Sequence, residues 1–284
     1  MKPAPFAFLR PSTLEEALAA LAGEQGAKVL AGGQSLVPLL SMRLAAPSML
    51  VDINALPDLG HVRVAEDGVR VGALARHAEV LASAEAAQAQ PLLGMALSHV
   101  AHPTIRNRGT TVGSIVHADA AAEMPMVLRL LDGSVDVASV RGRRTVPAAE
   151  LFAGPLESTL AHDEIAVEAI FPGLAPGAGV AFQEIARRHG DYALVGVAAR
   201  VETEGDAVTG ARLGFVSVSD VPTVVDVTDA LDDPAGKALA ELDPADDIHA
   251  TAAYRAHLVK VLAPRVLAAA TDHARSRAGE ATHP

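Results

Sequence analysis

The chain has 284 residues, 50% of them hydrophobic and only 3% aromatic, which suffices for a folded core built mainly from aliphatic side chains. The formal net charge of −11 argues against a nucleic-acid partner, because a phosphate backbone is bound by clustered Lys and Arg. The sequence contains no cysteine, which excludes disulfides, Cys-ligated zinc and Cys-ligated iron–sulfur clusters.

The N-terminal part of the sequence predicts a compact β/α unit. Ser12 followed by Glu15 has the pattern of a capping box, with Ser12 as the N-cap. The elements that we expect are a helix from Ser12 to residue 22, a short buried strand over 28–31, a helix over 38–44 and a strand over 49–53. The start of the chain lacks the apolar core of a signal peptide, and no run reaches the roughly 20 apolar residues of a membrane span. The sequence therefore predicts a cytoplasmic protein without a membrane span.

The rest of the chain predicts an α+β region followed by a second group of strands. Glu66-Asp67-Gly68 lies between two strand-like runs within 61–74, which is the signature of a hairpin. The further elements that we expect are helices over 76–101, 121–131, 235–242 and 249–270, and strands over 135–138, 144–147, 164–171, 180–185, 193–204 and 211–218. The Pro/Gly-rich hexamer 172–177 is the best linker candidate. The charged tail from Thr271 is expected to end in disorder.

Residues 29–36 (VLAGGQSL) form the first segment that can carry chemistry. Adjacent glycines remove side chains and let successive backbone N–H groups point into one concavity, which is how a loop cradles a diphosphate. Gln34 and Ser35 add side-chain donors. An ordinary turn after a strand is the alternative, since neither the GxGxxG fingerprint nor the GxxxxGKS/T loop is present.

The second segment, residues 104–119 followed by Glu123, concentrates hydroxyl side chains, glycines and acidic groups. Hydroxyls and exposed backbone suit a ribityl chain and phosphates. Asp119 and Glu123 can accept hydrogen bonds from ribose or ribityl hydroxyls. The structural alternative is that these two acidic residues cap the following helix.

The third segment, residues 187–195 (RRHGDYALV), holds a basic cluster, a turn and then Tyr192, one of only two tyrosines. An aromatic ring at the start of a strand can lie against a planar ligand. The alternative is that Tyr192 is a half-buried strand residue.

Two further kinds of site are disfavoured. His99, His102 and His117 with Asp119 have the residue types of a zinc site, but none of these pairs has i, i+4 spacing on an assured helix. A Ser–His–Asp nucleophile is equally weak, since no GxSxG is present and Ser35 has no obvious base partner.

In this order and spacing, the three segments resemble the FAD-binding, or medium, subunit of the molybdenum hydroxylases, the family of carbon monoxide dehydrogenase and the xanthine dehydrogenase-like bacterial heterotrimers. The resemblance rests on AGGQSL at 31–36, on TTVGS and HADAAAEMP within 110–125, and on RRHGDYALVGVA at 187–198. The chain departs from the common pattern at Val112-Gly113-Ser114, where relatives often have Gly-Gly-Asn, and at Ala120, where Pro is frequent.

The resemblance implies an α+β fold in three parts. Two FAD-binding subdomains of the vanillyl-alcohol-oxidase (PCMH-like) type, residues 1–55 and 56–176, precede a C-terminal domain, residues 177–284, of three antiparallel strands plus a helical bundle and a disordered tail. Non-covalent FAD would lie between the first two subdomains.

The cofactor-binding residues that the resemblance implies fall into four groups. Around the diphosphate and ribityl chain they are Lys28, Val29, Leu30, Ala31, Gly32, Gly33, Gln34, Ser35, Leu36, Thr110, Thr111, Val112, Gly113 and Ser114. Near the adenine they are Val100 and Ala101, and among the polar groups of the cofactor they are His117, Asp119 and Glu123. On the isoalloxazine side they are Leu160, Gln183 and Tyr192.

By the same resemblance, the chain is an oxidoreductase subunit that is not catalytically complete alone. It would take electrons from the 2Fe–2S clusters of a small subunit, themselves reduced by a large subunit with the molybdenum cofactor, and pass them to an external acceptor. A dimer of such heterotrimers is the family's expected assembly. The rival hypotheses are a cofactor-free scaffold and a stand-alone flavin oxidoreductase of the cell-wall-precursor reductase group. Carbon monoxide, aldehydes, purines and other N-heterocycles stay open as substrates, with a mild preference for an N-heterocycle.

Overall fold

The computed structural model describes residues 2–281, and its first sheet is parallel with the strand order β1-β3-β2. The elements of this part are β1 (Ala7–Leu9), α1 (Leu14–Gly23), β2 (Ala27–Leu30), α2 (Leu36–Met42) and β3 (Met49–Asp52). Helix α1 buries Ala17, Leu18 and Leu21 against this sheet, as its apolar spacing predicts. In a parallel sheet the carboxyl ends of β2 and β3 lie at the same edge, and this edge positions the site described below.

Two details of this part differ from the sequence prediction. The N-cap of α1 is Thr13, whose hydroxyl accepts a hydrogen bond from the Glu16 N–H at 3.2 Å. Ser12, predicted as the N-cap, instead donates its N–H and hydroxyl to the Glu16 carboxylate at 2.8 and 2.9 Å, so the predicted capping box was wrong by one residue. The predicted buried strand is only partly buried, because Lys28 points to solvent.

The second sheet is antiparallel, with five strands in the order β4-β5-β10-β6-β7. The elements of this part are β4 (Val62–Ala65), β5 (Gly68–Gly72), α3 (His77–Ala82), α4 (Ala84–Ala89), α5 (Pro91–Leu97), α6 (Pro103–Arg106), α7 (Thr111–His117), α8 (Glu123–Leu130), β6 (Ser134–Ser139), β7 (Gly142–Pro147), α9 (Ala148–Leu151), β8 (Phe152–Gly154), β9 (Glu157–Ser158) and β10 (Ile165–Phe171). The hairpin predicted at Gly68 is present; this glycine has φ +129°, and a Cβ on it would lie 2.2 Å from the Phe171 carbonyl oxygen. The helices cover one face of the sheet and enclose the largest core, which includes Leu93, Met124 and Leu128.

The third sheet is antiparallel, with the order β11-β12-β13-β14. The elements of this part are β11 (Ala178–Ala186), β12 (Ala193–Glu204), β13 (Ala207–Val216), β14 (Thr223–Asp226), α10 (Pro234–Leu239) and α11 (Ala252–Ala281). The three predicted strands are present, and β14 adds a short fourth strand beside β13. Val259, Leu262 and Val266 of α11 pack on the sheet. Residues 271–281 are helical, so the last helix continues beyond residue 270, where it was predicted to end. The last three residues, on which the expectation of disorder at the end of the tail falls, lie outside the described part.

The predicted linker is held in place by hydrogen bonds. The Leu174 N–H donates to the Ala89 carbonyl at 2.8 Å, and Nε2 of Gln90 donates to the Pro172 carbonyl at 2.8 Å. Within residues 2–281, no helix is both long and apolar enough to cross a membrane.

Candidate cofactor cleft

Two glycine-containing loops touch where the first sheet meets the second. The first loop, residues 31–35, follows β2, and the second loop, residues 107–110, precedes α7. A Cβ on Gly32 would lie 2.5 Å from the Arg108 carbonyl oxygen and 3.0 Å from the Thr110 nitrogen, so only glycine permits this approach. Gly33 has φ +72°, a backbone conformation that favours glycine. The contact between the two loops thus explains the glycine at position 32, and the positive φ explains the glycine at position 33.

A hydrogen-bond chain ties the two loops together. Nδ2 of Asn54, just after β3, donates to the Ala31 carbonyl at 2.8 Å. Its Oδ1 accepts from the Arg76 guanidinium at 2.7 Å, and Arg76 also donates to the Arg108 carbonyl at 2.8 Å. Asn54 and Arg76 were not predicted as site residues, because both lie outside the glycine motifs. The available signal was the position of Asn54 at the carboxyl end of a strand beside β2.

Positively charged arginine side chains lie around the second loop. Burial, and then the neighbouring charge of Arg108, lower the pKa of the Arg76 guanidinium. Arg106 donates to the carbonyl oxygens of Val100 and Ala101 at 2.9 and 2.8 Å, and so fixes the segment predicted to lie near an adenine. This end of the cleft therefore suits an anionic group.

Hydrogen bonds made by Thr110 and His77 hold the second loop in place. The Thr110 hydroxyl caps α7 by accepting from the Gly113 N–H at 3.2 Å, and a Cβ on Gly113 would lie 2.4 Å from that hydroxyl. The N–H of His77 donates to the Gly109 carbonyl at 2.9 Å, and Nδ1 of His77 lies 3.1 Å from the Thr111 hydroxyl. Burial lowers the pKa of His77 to about 4, so it is neutral at physiological pH.

Replacing Thr110 with alanine is expected to destabilise the chain by about 1 kcal/mol, because α7 loses its N-cap. Thr110→Ser keeps the capping oxygen and serves as the matched control. Urea unfolding of both variants measures the effect, and equal stability of the alanine and serine variants would contradict the capping role.

The end of the cleft beyond α7 is acidic. Oδ1 of Asp119 accepts from the Ala121 N–H at 2.9 Å in the turn before α8, and the N-cap position of α8 is Ala122, which has no side-chain cap. The alternative that Asp119 and Glu123 cap this helix is therefore wrong. Glu123 is 6% exposed, and its pKa is raised to about 8 by burial, then by the charges of Glu184 and Asp119.

Tyr192 reaches this acidic end from the third sheet. The residue immediately precedes β12 and is 63% exposed, so the alternative of a half-buried strand residue is wrong. Its pKa is raised to about 12, first by desolvation and then by the charges of Asp119 and Glu123, and its hydroxyl hydrogen-bonds to Asp119. The exposed fraction describes the whole residue, including the free ring, whereas the pKa concerns the hydroxyl end alone. A free ring with an anchored hydroxyl can pack against a planar ligand.

The loop before Tyr192 also contacts the adenine-side segment. Gly190 has φ +85°, and a Cβ on it would lie 2.7 Å from Nδ1 of His102 and 2.8 Å from the Ala101 carbonyl oxygen. The third segment of the sequence thus meets residues 101–102, which lie just before the second segment.

The remaining predicted residues vary in their exposure. Residues 29–36 are half-buried, whereas the side chains of Thr111 and Val112 are buried in the core and leave only their backbone for a ligand. Ser114, His117 and Leu160 are half-buried, and Gln183 is exposed on β11. Among the described residues, no group of three or more His, Asp or Glu is arranged to hold a metal ion.

The chain is similar over nearly its whole length to known flavoprotein subunits. Residues 4–174 match the family described as the FAD binding domain in molybdopterin dehydrogenase, and residues 180–270 match the CO dehydrogenase flavoprotein C-terminal domain. The alpha subunit of the 6-hydroxypseudooxynicotine dehydrogenase complex of Paenarthrobacter nicotinovorans is 41% identical, with 97% of each chain covered. The nicotine 6-hydroxylase medium subunit of the same organism is 39% identical, with 92% of this chain and 95% of the relative covered.

A solved structure agrees with these matches. A chain of carbon monoxide dehydrogenase from Hydrogenophaga pseudoflava, in a form lacking the Mo-pyranopterin moiety of its cofactor, superposes with a TM-score of 0.92 at 31% identity, covering 96% of this chain and 99% of the other. This protein therefore belongs to the FAD-binding medium subunits of the multi-subunit molybdenum hydroxylases.

Proposed function

We propose that FAD binds non-covalently in the cleft where the two glycine loops meet, with its diphosphate beside Gly32, Gly33 and the second loop. The observation that carries this placement is the close approach of the loops at Gly32 next to the Arg76 and Arg108 cations. The adenine would lie toward Val100 and Ala101, and the isoalloxazine toward Tyr192, with Leu160 and Gln183 on the same side. Bound FAD accepts and releases electrons singly or in pairs.

The residues of this chain hold and tune the cofactor. The two glycine loops supply backbone donors without side-chain obstruction, the arginines offset the diphosphate charge, and the Tyr192 ring covers the flavin. As proposed, these roles need no side chain of this chain as a general acid or base. The division of the chain near residues 55 and 176 and the cytoplasmic location stay predictions.

We propose that the partners are a large subunit with the molybdenum cofactor and a small subunit with 2Fe–2S clusters, in an assembly that dimerises. The relatives named above are a medium subunit and a complex subunit, which supports a heteromeric assembly. Co-expression of this chain with both subunits, followed by mass determination of the purified complex, tests the stoichiometry.

We propose an N-heterocycle as the substrate of the complex. Two relatives are named for nicotine-related compounds, and nicotine contains a pyridine ring. Turnover of the complex on pyridine, quinoline and purine compounds, compared with carbon monoxide and simple aldehydes, tests this class. Preference for carbon monoxide or for aldehydes would overturn it.

The absorption spectrum of the purified complex tests the cofactor assignment. We expect a flavin spectrum, release of FAD by acid, and one FAD for each copy of this chain. A fully assembled complex without flavin would favour the scaffold hypothesis, and turnover by this chain alone would favour the stand-alone oxidoreductase.

Replacing Tyr192 with alanine is expected to change the flavin spectrum and midpoint potential while altering the free energy of unfolding by less than about 1 kcal/mol, because the ring is exposed. Tyr192→Phe keeps the ring and loses only the hydroxyl bond to Asp119, so it separates the two contributions. If neither variant changes the spectrum or the potential, Tyr192 does not contact the flavin.

A further inference from the structure

Arg255 is a buried cation near the start of α11, and its guanidinium donates to three separate segments of the chain. The residue is only 5% exposed. Its Nη1 donates to the carbonyl oxygens of Leu194 and Ser217 at 2.5 and 2.6 Å, and its Nη2 donates to the Asp247 carboxylate at 2.6 Å. A buried ion pair adds little stability over apolar side chains of the same volume, whereas the planar guanidinium fixes the geometry of its acceptors. The effect of Arg255 therefore lies in the positions of the backbone segments that it joins.

The first of these segments is a β-bulge next to Tyr192. The pairing register between β11 and β12 shifts after Ile185 and skips Leu194, which is the extra residue of the bulge. A bulge bends its strand and re-aims the side chains beside it. Because the Leu194 carbonyl is held by Arg255, the bend is fixed at the point where Tyr192 leads into the strand.

The second segment links Arg255 to the acidic turn before α8. Ser217 directly follows β13 and has φ +61°, a backbone conformation that favours glycine and is strained for serine. Its carbonyl accepts from Arg255, and its N–H donates at 2.9 Å to the carbonyl of Ala120, the residue after Asp119. The Ser217 hydroxyl oxygen is buried and has no hydrogen-bond partner among the described residues. The two backbone hydrogen bonds therefore hold this strained turn, and they tie it to the acidic end of the cleft.

We propose that Arg255 is a positioning residue that holds the Tyr192 ring and the turn after Asp119 in one arrangement, and that it thereby sets the midpoint potential of the bound flavin. The proposal rests on the placement of FAD given above, with the isoalloxazine beside Tyr192. The potential of a flavin depends on the protein groups around its ring, so a displaced ring neighbour changes it. Arg255 acts here through the backbone of Leu194 and Ser217 and not through contact with the cofactor.

The test is the midpoint potential of the flavin in the assembled complex, measured by redox titration while the flavin absorption is recorded. Arg255→Lys keeps the positive charge but loses the planar fork, so it cannot donate to all three acceptors in their present positions. We expect this variant to shift the potential in the same direction as Tyr192→Ala does. Arg265→Lys, at an exposed position on the same helix, is the matched control and should leave the potential unchanged.

A double variant separates positioning from a general loss of structure. If Arg255 acts through Tyr192, the chain with both Arg255→Lys and Tyr192→Ala should have the potential of Tyr192→Ala alone. Additive shifts would mean that Arg255 affects the flavin by another route, and they would overturn the proposal. Asp247→Asn is a milder change, because it weakens one Arg255 contact at a carboxylate that is 44% exposed. Its smaller shift should also vanish in the Tyr192→Ala background, so it decides the matter if Arg255→Lys does not assemble.

The possible failures are distinguishable. An unchanged potential in Arg255→Lys, when Tyr192→Ala does shift it, overturns this inference alone. An unchanged potential in Tyr192→Ala overturns the placement of that ring beside the flavin, and this inference with it. An assembled complex that contains no FAD overturns the proposed function as well.

Discussion

Replacing Gly32 with valine is expected to abolish the retention of FAD and to lower the free energy of unfolding by about 1–3 kcal/mol. The new Cβ would lie 2.5 Å from the Arg108 carbonyl oxygen and 2.9 Å from the Gly109 Cα. These are backbone atoms, so they cannot move aside as the end of a flexible side chain can. The two loops must separate, and the proposed diphosphate site opens with them.

Two further variants test whether the contact at Gly32 is the cause of the expected loss of FAD. Gly60→Val adds the same side chain at a position where no atom lies within 4 Å of the new Cβ, and it should leave flavin content unchanged. Gly33→Ala acts through its φ of +72° and should cost about 1 kcal/mol without forcing the loops apart. The FAD-to-protein ratio from the absorption spectrum and the urea midpoint measure both effects. Full flavin content in Gly32→Val would show that the loop contact does not form the site.

The sequence was enough to predict that the two glycines of the first loop belong to the site, but it predicted their physical role only in part. Adjacent glycines after a strand predict an exposed backbone, and donation from this backbone to a diphosphate remains the proposed role of the first loop. The sequence gives no sign that the Cβ direction of Gly32 points at Arg108, since the two residues lie far apart in the chain. Packing between distant segments decides which side of a glycine has to stay empty.

Separation along the chain also explains why two residues that join the loops were not predicted from the sequence. Asn54 and Arg76 join the loops across 23 and 32 positions, and neither belongs to a recognisable motif. The burial of Glu184 was not predictable for a different reason. A charged residue in a strand normally faces solvent, and only the fold shows that this side chain is buried beside His99. Local patterns did predict most helices and strands, including the hairpin at Gly68. They ended the last helix too early, at residue 270, whereas it continues to residue 281.

Replacing Glu123 with glutamine is expected to stabilise the FAD-free chain at alkaline pH, although it removes an ionisable residue from a proposed binding site. The pKa of Glu123 is about 8 in the folded chain and close to its ordinary value of 4.5 in the unfolded one. Between these values the folded state binds more protons, so the free energy of unfolding of the natural chain falls as the pH rises through this window. Below pH 4.5 both states are protonated and the contribution is complete; above pH 8 it is lost.

The amide of the variant does not titrate, so its stability lacks this decline. At pH 5 the two chains should unfold at similar urea concentrations, whereas at pH 8.5 the variant should be more stable by roughly 2–4 kcal/mol, the order expected for a carboxyl group that must ionise in a buried site. Glu66→Gln, in the exposed hairpin turn, should match the natural chain at both pH values. The same stability difference at pH 5 and pH 8.5 would mean that Glu123 ionises as freely in the folded chain as in the unfolded one.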